Sequence, residues 1–95
     1  MSRPDLIIHD EKDNVGVVVI ETTKKGQDCS AWIMENDKTV KVPSTNDVPL
    51  GHKIALKDLK VGDTIFKYGH DIGKVVQEIK KGEHVHVHNV KTKKW

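Results

Sequence analysis

Short apolar runs rich in β-branched residues, each broken by Gly, Asn, Asp or Pro, constrain the fold of this chain most. Residues 6–8 and 15–20 flank a polar stretch, as two strands flank a turn. Residues 39–42 alternate polar and apolar side chains, which is typical of a strand with one buried face. No segment carries a sustained apolar stripe at helical spacing, so a helix bundle is disfavoured. The pattern predicts an all-β fold with at most one short helical turn.

The second half of the chain contains further strand candidates. Residues 64–68, 73–79 and 84–88 are predicted as strands, and the glycines at 69 and 73 predict a tight loop between the first two. Residues 54–59 fit either one helical turn or a short strand.

Two six-residue segments share one pattern, which is acidic, apolar, Lys, any residue, Gly, acidic. They are residues 58–63 and 78–83. The glycine of each supplies the positive φ that a tight turn favours. The repeat is too short to define a repeat protein, but it predicts two similar corners in one β fold.

Length and composition favour one small domain, residues 1–95, with residues 91–95 as a basic tail. Of its 95 residues 4 % are aromatic and 32 % are charged, which predicts a thin core or a fold completed against a partner. The formal charge of +2 is too small to indicate nucleic-acid binding. The sequence has one cysteine and no apolar run of membrane-spanning length, and we expect no signal peptide in its first residues. We therefore expect a cytoplasmic protein that binds neither nucleic acid nor membrane.

Three histidines alternate with valines at positions 84, 86 and 88. On a strand they would share one face, with neighbouring imidazoles about 6.5–7 Å apart at Cα. Two imidazoles at this spacing can reach one metal ion, because a Zn–N bond is about 2.0–2.1 Å long. Further ligands would come from elsewhere in the fold or from another chain. The alternative is that these histidines are solvated polar residues on an exposed strand face.

Two other segments carry reactive side chains. Gly51-His52-Lys53 follows a proline-containing loop and could present cations to an anionic ligand, although an ordinary turn is the simpler interpretation. Cys29 has no basic neighbour in sequence, so we interpret it as a buried spacer and not as a nucleophile.

Several short motifs in a fixed order resemble a known family. They are Gly51-His52-Lys53, Lys67-Tyr68-Gly69, Ile72-Gly73 and His86-Val87-His88-Asn89. Together they resemble the small N-terminal SAF-type domain of the altronate and galactarate dehydratase family, from about residue 13 to residue 90. This resemblance implies a SAF-type β-clip fold and a β-elimination from an α-hydroxy acid.

The end of the chain is most similar to family members in which this domain is a separate subunit. The resemblance implies the small subunit of a two-subunit carbon–sulfur lyase that eliminates sulfite from (2R)-3-sulfolactate to give pyruvate. It would work at a composite site shared with a large catalytic subunit, on a small anionic hydroxy acid. The implied cofactor is a divalent metal, with Fe²⁺ as the first choice.

The resemblance also implies roles for individual residues. The implied catalytic residues are His52, His86 and His88, the implied substrate-binding residues are Lys53, Lys67 and Asn89, and the implied metal ligands are His86 and His88. His84 stands where we expect an aromatic residue in the dehydratases, so it is set aside.

Three alternatives stay open at this stage. The chain could be the small subunit of a sugar-acid dehydratase, with water as the leaving group. It could be a non-catalytic SAF-type module that binds a carbohydrate or a protein, or a metal carrier that uses the histidine strand.

Overall fold

The computed structural model describes residues 4–10, 12–67, 70–86 and 88–92, which form eleven strands and no helix. The strands are β1 (Leu6–Ile8), β2 (Val15–Val18), β3 (Thr22–Thr23), β4 (Asp28–Ile33), β5 (Lys38–Pro43), β6 (Val48–Pro49), β7 (Lys53–Ala55), β8 (Thr64–Lys67), β9 (His70–Val75), β10 (His84–Val85) and β11 (Val90–Thr92). The predicted all-β class is confirmed. The segment that fitted either a helical turn or a strand contributes strand β7. No helix in the described ranges is long and apolar enough to cross a membrane.

Most of the strands join one six-stranded sheet with the order β10-β7-β2-β1-β4-β5. Its β1–β4 pair is parallel, whereas the pairs on either side of it are antiparallel. A three-stranded sheet, β11-β9-β8, and a two-stranded sheet, β3-β6, complete the described strands. Strand β10 therefore lies at one edge of the largest sheet, beside β7.

Two apolar clusters form the core, and strand β7 separates them. Ile54 belongs to the first cluster and Ala55 to the second, because successive side chains of a strand point to opposite faces. In the β7–β10 pair, His84 lies opposite Ile54 and Val85 lies opposite Lys53. Val85 is buried in the second cluster, so burial of this valine anchors the edge strand that carries His84.

The two corners predicted from the repeated pattern do have the same structure. Gly62 and Gly82 have φ values of 93° and 88°. The backbone N–H of Lys60 donates to Asp63, and that of Lys80 donates to Glu83. Leu59 and Ile79 pair with each other in an antiparallel bridge, so the two corners meet back to back. Each corner therefore uses its last acidic residue to hold the turn and its apolar residue to fill the core.

Four sequence predictions of local structure are wrong in part. The strand predicted for residues 73–79 ends at Val75, four residues before the predicted end. Strand β2 ends at Val18, two residues before the predicted end. Residues 70–73 belong to strand β9 instead of a loop, because Lys67 pairs directly with His70 across the hairpin. The histidine strand stops at Val85, and the chain turns after His86, whose carbonyl accepts hydrogen bonds from the N–H groups of Asn89 and Val90. The alternation of histidine and valine therefore continues in the sequence beyond the end of the strand.

Some predicted features lie outside the described residues. These are Tyr68 and Gly69 of one family motif, Val87 of the histidine segment, and residues 93–95 of the basic tail. Lys91 of that tail lies in strand β11.

Candidate functional site

A tight turn before strand β7 presents His52. Gly51 adopts a φ of 85°, which favours glycine, and its N–H donates to the carbonyl of Val18. The N–H of His52 donates to the carbonyl of Pro49 at 3.1 Å and closes the turn. His52 thus lies one residue before β7, the strand that pairs with the strand of His84.

Three imidazoles meet at this edge of the sheet, and we call His52, His84 and His86 the histidine cluster. One nitrogen of each lies within 4.8 Å of the others. His52 Nδ1 lies 2.8 Å from His84 Nε2, which is a hydrogen bond between the two rings. The rings of His52 and His86 stack with centroids 4.2 Å apart and an interplanar angle of 19°. Two of these residues were predicted as site residues, and the third had been set aside.

His88 lies beside the histidine cluster and is exposed. Its ring centroid is 5.3 Å from that of His84, at an angle of 53°. A continued strand would have placed His88 next to His86 as a second ligand. The chain turns after His86 instead, so His88 does not take that position. The assignment of His88 as a ligand or as a catalytic residue stays a prediction.

Two members of the cluster favour the neutral form. Burial, followed by the nearby His52, His88 and His86, lowers the pKa of His84 to about 4. Burial, His52, Lys53 and His88 also lower the pKa of His86 below 6.5. The His52–His84 hydrogen bond agrees with this, since one nitrogen must donate its hydrogen while the other accepts it. His84 and His86 are therefore neutral at pH 7, which is the state that binds metal or accepts a proton.

The histidine cluster fits a divalent metal ion. Two nitrogens bound to one ion at about 2.0–2.1 Å lie at most about 4.2 Å apart, so modest side-chain rotations would bring these three to one centre. Imidazole suits iron, zinc, copper and nickel better than it suits magnesium or calcium. Among the described residues, this is the group of three or more His, Cys, Asp or Glu side chains whose ligand atoms lie within 4.8 Å of one another.

Two lysines predicted to bind substrate lie near one another, and one of them, Lys53, lies near His86. Lys53 is buried on β7, with 7 % of its surface exposed. Burial and then the charge of Lys67 lower the pKa of Lys53, and the charge of Lys53 in turn lowers that of His86. The two amines thus lie close enough to act on one another, and that of Lys53 lies close enough to act on His86.

Asn89, the third predicted substrate-binding residue, is buried and already hydrogen bonded. Its Oδ1 accepts from the N–H of His86 at 3.0 Å, and its Nδ2 donates to the carbonyl of His84 at 2.8 Å. Asn46, which the sequence analysis did not single out, accepts from the N–H of His84 at 3.0 Å. Its distance of 38 residues from His84 in sequence explains why no local pattern indicated it.

A groove of about 590 Å³ borders the site and is lined in part by Asn46, His84, His88 and Asn89. Three acidic side chains also line it; these are Asp47, Glu78 and Glu83. One cation, Lys25, also lines it, so carboxylates outnumber amines there. We therefore expect an anionic ligand to bind more favourably beside Lys53 and Lys67.

Comparison with known protein families shows to which family the chain belongs. Residues 4–93 match the model of the altronate/galactarate dehydratase SAF domain. The chain belongs to this family. The match extends beyond both ends of the region from which the resemblance was inferred. The family resemblance stated from the sequence is therefore confirmed.

Curated members of this SAF-domain family include chains of similar length. The chain is 50 % identical, over 96 % of its length and 97 % of the relative, to the (2R)-sulfolactate sulfo-lyase subunit alpha of Chromohalobacter salexigens. It is 48 % identical, over 66 % of its length, to the protein of the same name from Paracoccus pantotrophus. An altronate dehydratase of Bacillus subtilis is 40 % identical over 86 % of this chain, which corresponds to 15 % of that enzyme.

Proposed function

We propose that the chain is the small subunit of a two-subunit carbon–sulfur lyase that eliminates sulfite from (2R)-3-sulfolactate to give pyruvate. The observation that carries this proposal is the 50 % identity to a relative that bears this activity in its name and is covered over 97 % of its length. The histidine cluster supplies a site of suitable chemistry on the same chain. The name of that relative, a subunit alpha, supports a further subunit as the partner.

The reaction requires one proton to leave and one bond to break. A base removes the proton at C2, the double bond C2=C3 forms, and the C3–S bond breaks with its electron pair going to sulfite. The resulting enol gains a proton at C3, loses the proton of its hydroxyl group and becomes pyruvate. The proton at C2 is weakly acidic because it lies beside a carboxylate, so the site must stabilise the charge that develops there.

The side chains of this subunit fit separate parts of that task. His84 and His86, neutral at pH 7, are in the protonation state that binds a metal cation. Lys53 and Lys67 would attract the carboxylate and sulfonate groups of the substrate. The resemblance implies Fe²⁺ as cofactor, and we propose that His52, His84 and His86 hold it, with His88 as the other candidate ligand. When bound, such an ion supplies Lewis-acid stabilisation of the developing charge.

We also expect the chain to work in the cytoplasm. Its single cysteine, Cys29, is fully buried, and burial followed by the charges of Asp5 and Asp28 raises the pKa of its thiol. A protonated, enclosed thiol agrees with a structural residue and with a reducing compartment.

The proposal is tested by reconstitution. The chain is purified with and without the large subunit from the same source, and sulfite release from 3-sulfolactate is measured. We expect sulfite only when both chains are present. If the assembled pair dehydrates altronate or galactarate but releases no sulfite from 3-sulfolactate, the chain is the small subunit of a sugar-acid dehydratase. If an assembled pair acts on none of these substrates, the chain is a non-catalytic binding module.

A further inference from the structure

The segment that carries two of the clustered histidines lies at a sheet edge with no neighbouring strand on its outer side among the described strands. Strand β10 is the last strand of the six-stranded sheet and consists of His84 and Val85. An edge of this kind leaves backbone donors and acceptors that need partners. The positions of the His84 and His86 rings therefore depend on how firmly this short edge strand is held.

Asparagine side chains supply the partners along this edge. Asn89 accepts from the N–H of His86 and donates to the carbonyl of His84. Asn46 accepts from the N–H of His84. Both backbone groups of His84 are thus bound by side-chain amides. A side-chain amide carries the same acceptor and donor as a peptide group, so Asn89 stands in for one residue of a neighbouring strand.

Asn89 is itself held in place. It is buried, with 6 % of its surface exposed, and its own N–H donates to the carbonyl of His86 at 3.1 Å. Its carbonyl accepts from the N–H of Val76 at 2.9 Å, which ties the turn to the end of strand β9. The side-chain amide of Asn89 is hydrogen bonded to the backbone of both His84 and His86. It therefore orients the histidine segment, and these bonds form before any substrate binds.

We propose that Asn89 is a positioning residue, whose buried amide fixes the backbone of His84 and His86 and thereby sets the approach of their rings to His52. This inference deepens the proposed function, and the consequence of the positioning role for catalysis rests on that function. It differs from the role implied by the family resemblance, in which Asn89 contacts the substrate. The contacts that it explains lie within this chain and can be measured without substrate.

The test uses the metal-free, ¹⁵N-labelled chain. The hydrogen bond between His52 Nδ1 and His84 Nε2, 2.8 Å long, should give a ¹⁵N–¹⁵N coupling between the two ring nitrogens. We expect Asn89→Ala to abolish this coupling while the backbone amide spectrum stays dispersed. Fe²⁺ affinity, measured anaerobically by calorimetry, should decrease about 10–100-fold, as is usual when the support of a ligand is removed.

The matched control is Asn36→Ala. The Oδ1 of Asn36 accepts from the N–H of Lys38 at 3.1 Å, in the turn between β4 and β5, so this variant also removes a side-chain-to-backbone bond. It should keep the ring coupling and the Fe²⁺ affinity. If Asn89→Ala does not fold, Asn89→Asp answers the question, because it keeps the acceptor for His86 and loses the donor to His84.

Two outcomes would overturn the proposal. In the first, an Asn89 variant keeps both the coupling and the Fe²⁺ affinity within twofold. In the second, it keeps the coupling and raises only the KM of the assembled enzyme, which would make Asn89 a substrate contact. A wild-type chain that shows the coupling but supports no sulfite release would contradict the proposed function and leave the positioning role intact.

Discussion

At the scale of single residues, the protonation of His84 links the site to the stability of the chain. In the folded chain His84 stays neutral down to a pH of about 4, whereas its ordinary pKa is 6.5. The unfolded chain therefore binds more protons between these two values. It follows that the free energy of unfolding decreases as the pH falls from about 6.5 to about 4.

We predict that His84→Gln reduces this pH dependence in the metal-free chain. The difference in unfolding free energy between pH 7 and pH 5, measured by urea denaturation in the presence of a chelator, should be smaller for the variant. Some dependence should remain, because the pKa values of His86 and His9 are also lowered by burial. Equal losses for the variant and the wild type would contradict the burial of a neutral His84.

The residues of the site differ in how far the sequence indicated them. His52 and His86 were predicted because each stands in a short motif that matches the family. His84 was set aside on the family pattern, although its place in the alternation had suggested it. The contact of Asn46 with His84 joins residues far apart in sequence, and the partners of Asn89 depend on a turn. Periodicity carries no information about either contact.

At the scale of elements, the two matched corners allow a paired prediction. A Cβ added to Gly82 would lie 2.0 Å from the carbonyl oxygen of Pro43, whereas one added to Gly62 has no neighbour within 4 Å. Both glycines have positive φ, so alanine at either position costs about 1–2 kcal/mol of backbone strain. Gly82→Ala adds a backbone clash and should lower the free energy of unfolding by about 2 kcal/mol more than Gly62→Ala.

Thermal or urea denaturation of the two variants measures this difference directly. The Gly62 variant is the control for backbone strain alone, since it occupies the equivalent place in the other corner. Similar losses for both variants would show that residues 43–45, at the end of β5 and just after it, do not press against Gly82.

Strand positions were easier to predict than strand ends. Leu6–Ile8 was predicted as observed, because a short apolar run beside a polar turn has few alternatives. The equivalence of the two corners followed from their shared glycine. The histidine strand was predicted too long, because alternation persists through residues whose backbone bonds form a turn. Side-chain amides of asparagine compete with strand pairing, and a binary pattern does not register that competition.

At the scale of the whole molecule, a thin core and an edge-mounted site agree with a subunit that works with a partner. Two small apolar clusters lie on either side of strand β7, and the histidine cluster lies at the edge beside it. A site at an edge leaves room for a second chain to close over it and exclude water. We therefore expect the small subunit to supply imidazoles to a shared site and to be inactive alone.

The most direct test of this account is the rate of sulfite release from 3-sulfolactate by the complex assembled with His86→Ala in place of the wild-type small chain. The control is His70→Ala, at an exposed position on strand β9. The account predicts that His86→Ala assembles normally and lowers kcat at least about 10²-fold, while His70→Ala stays within twofold of the wild type. An assembled His86→Ala complex with a near-normal rate would show that the histidine cluster is not part of the active site.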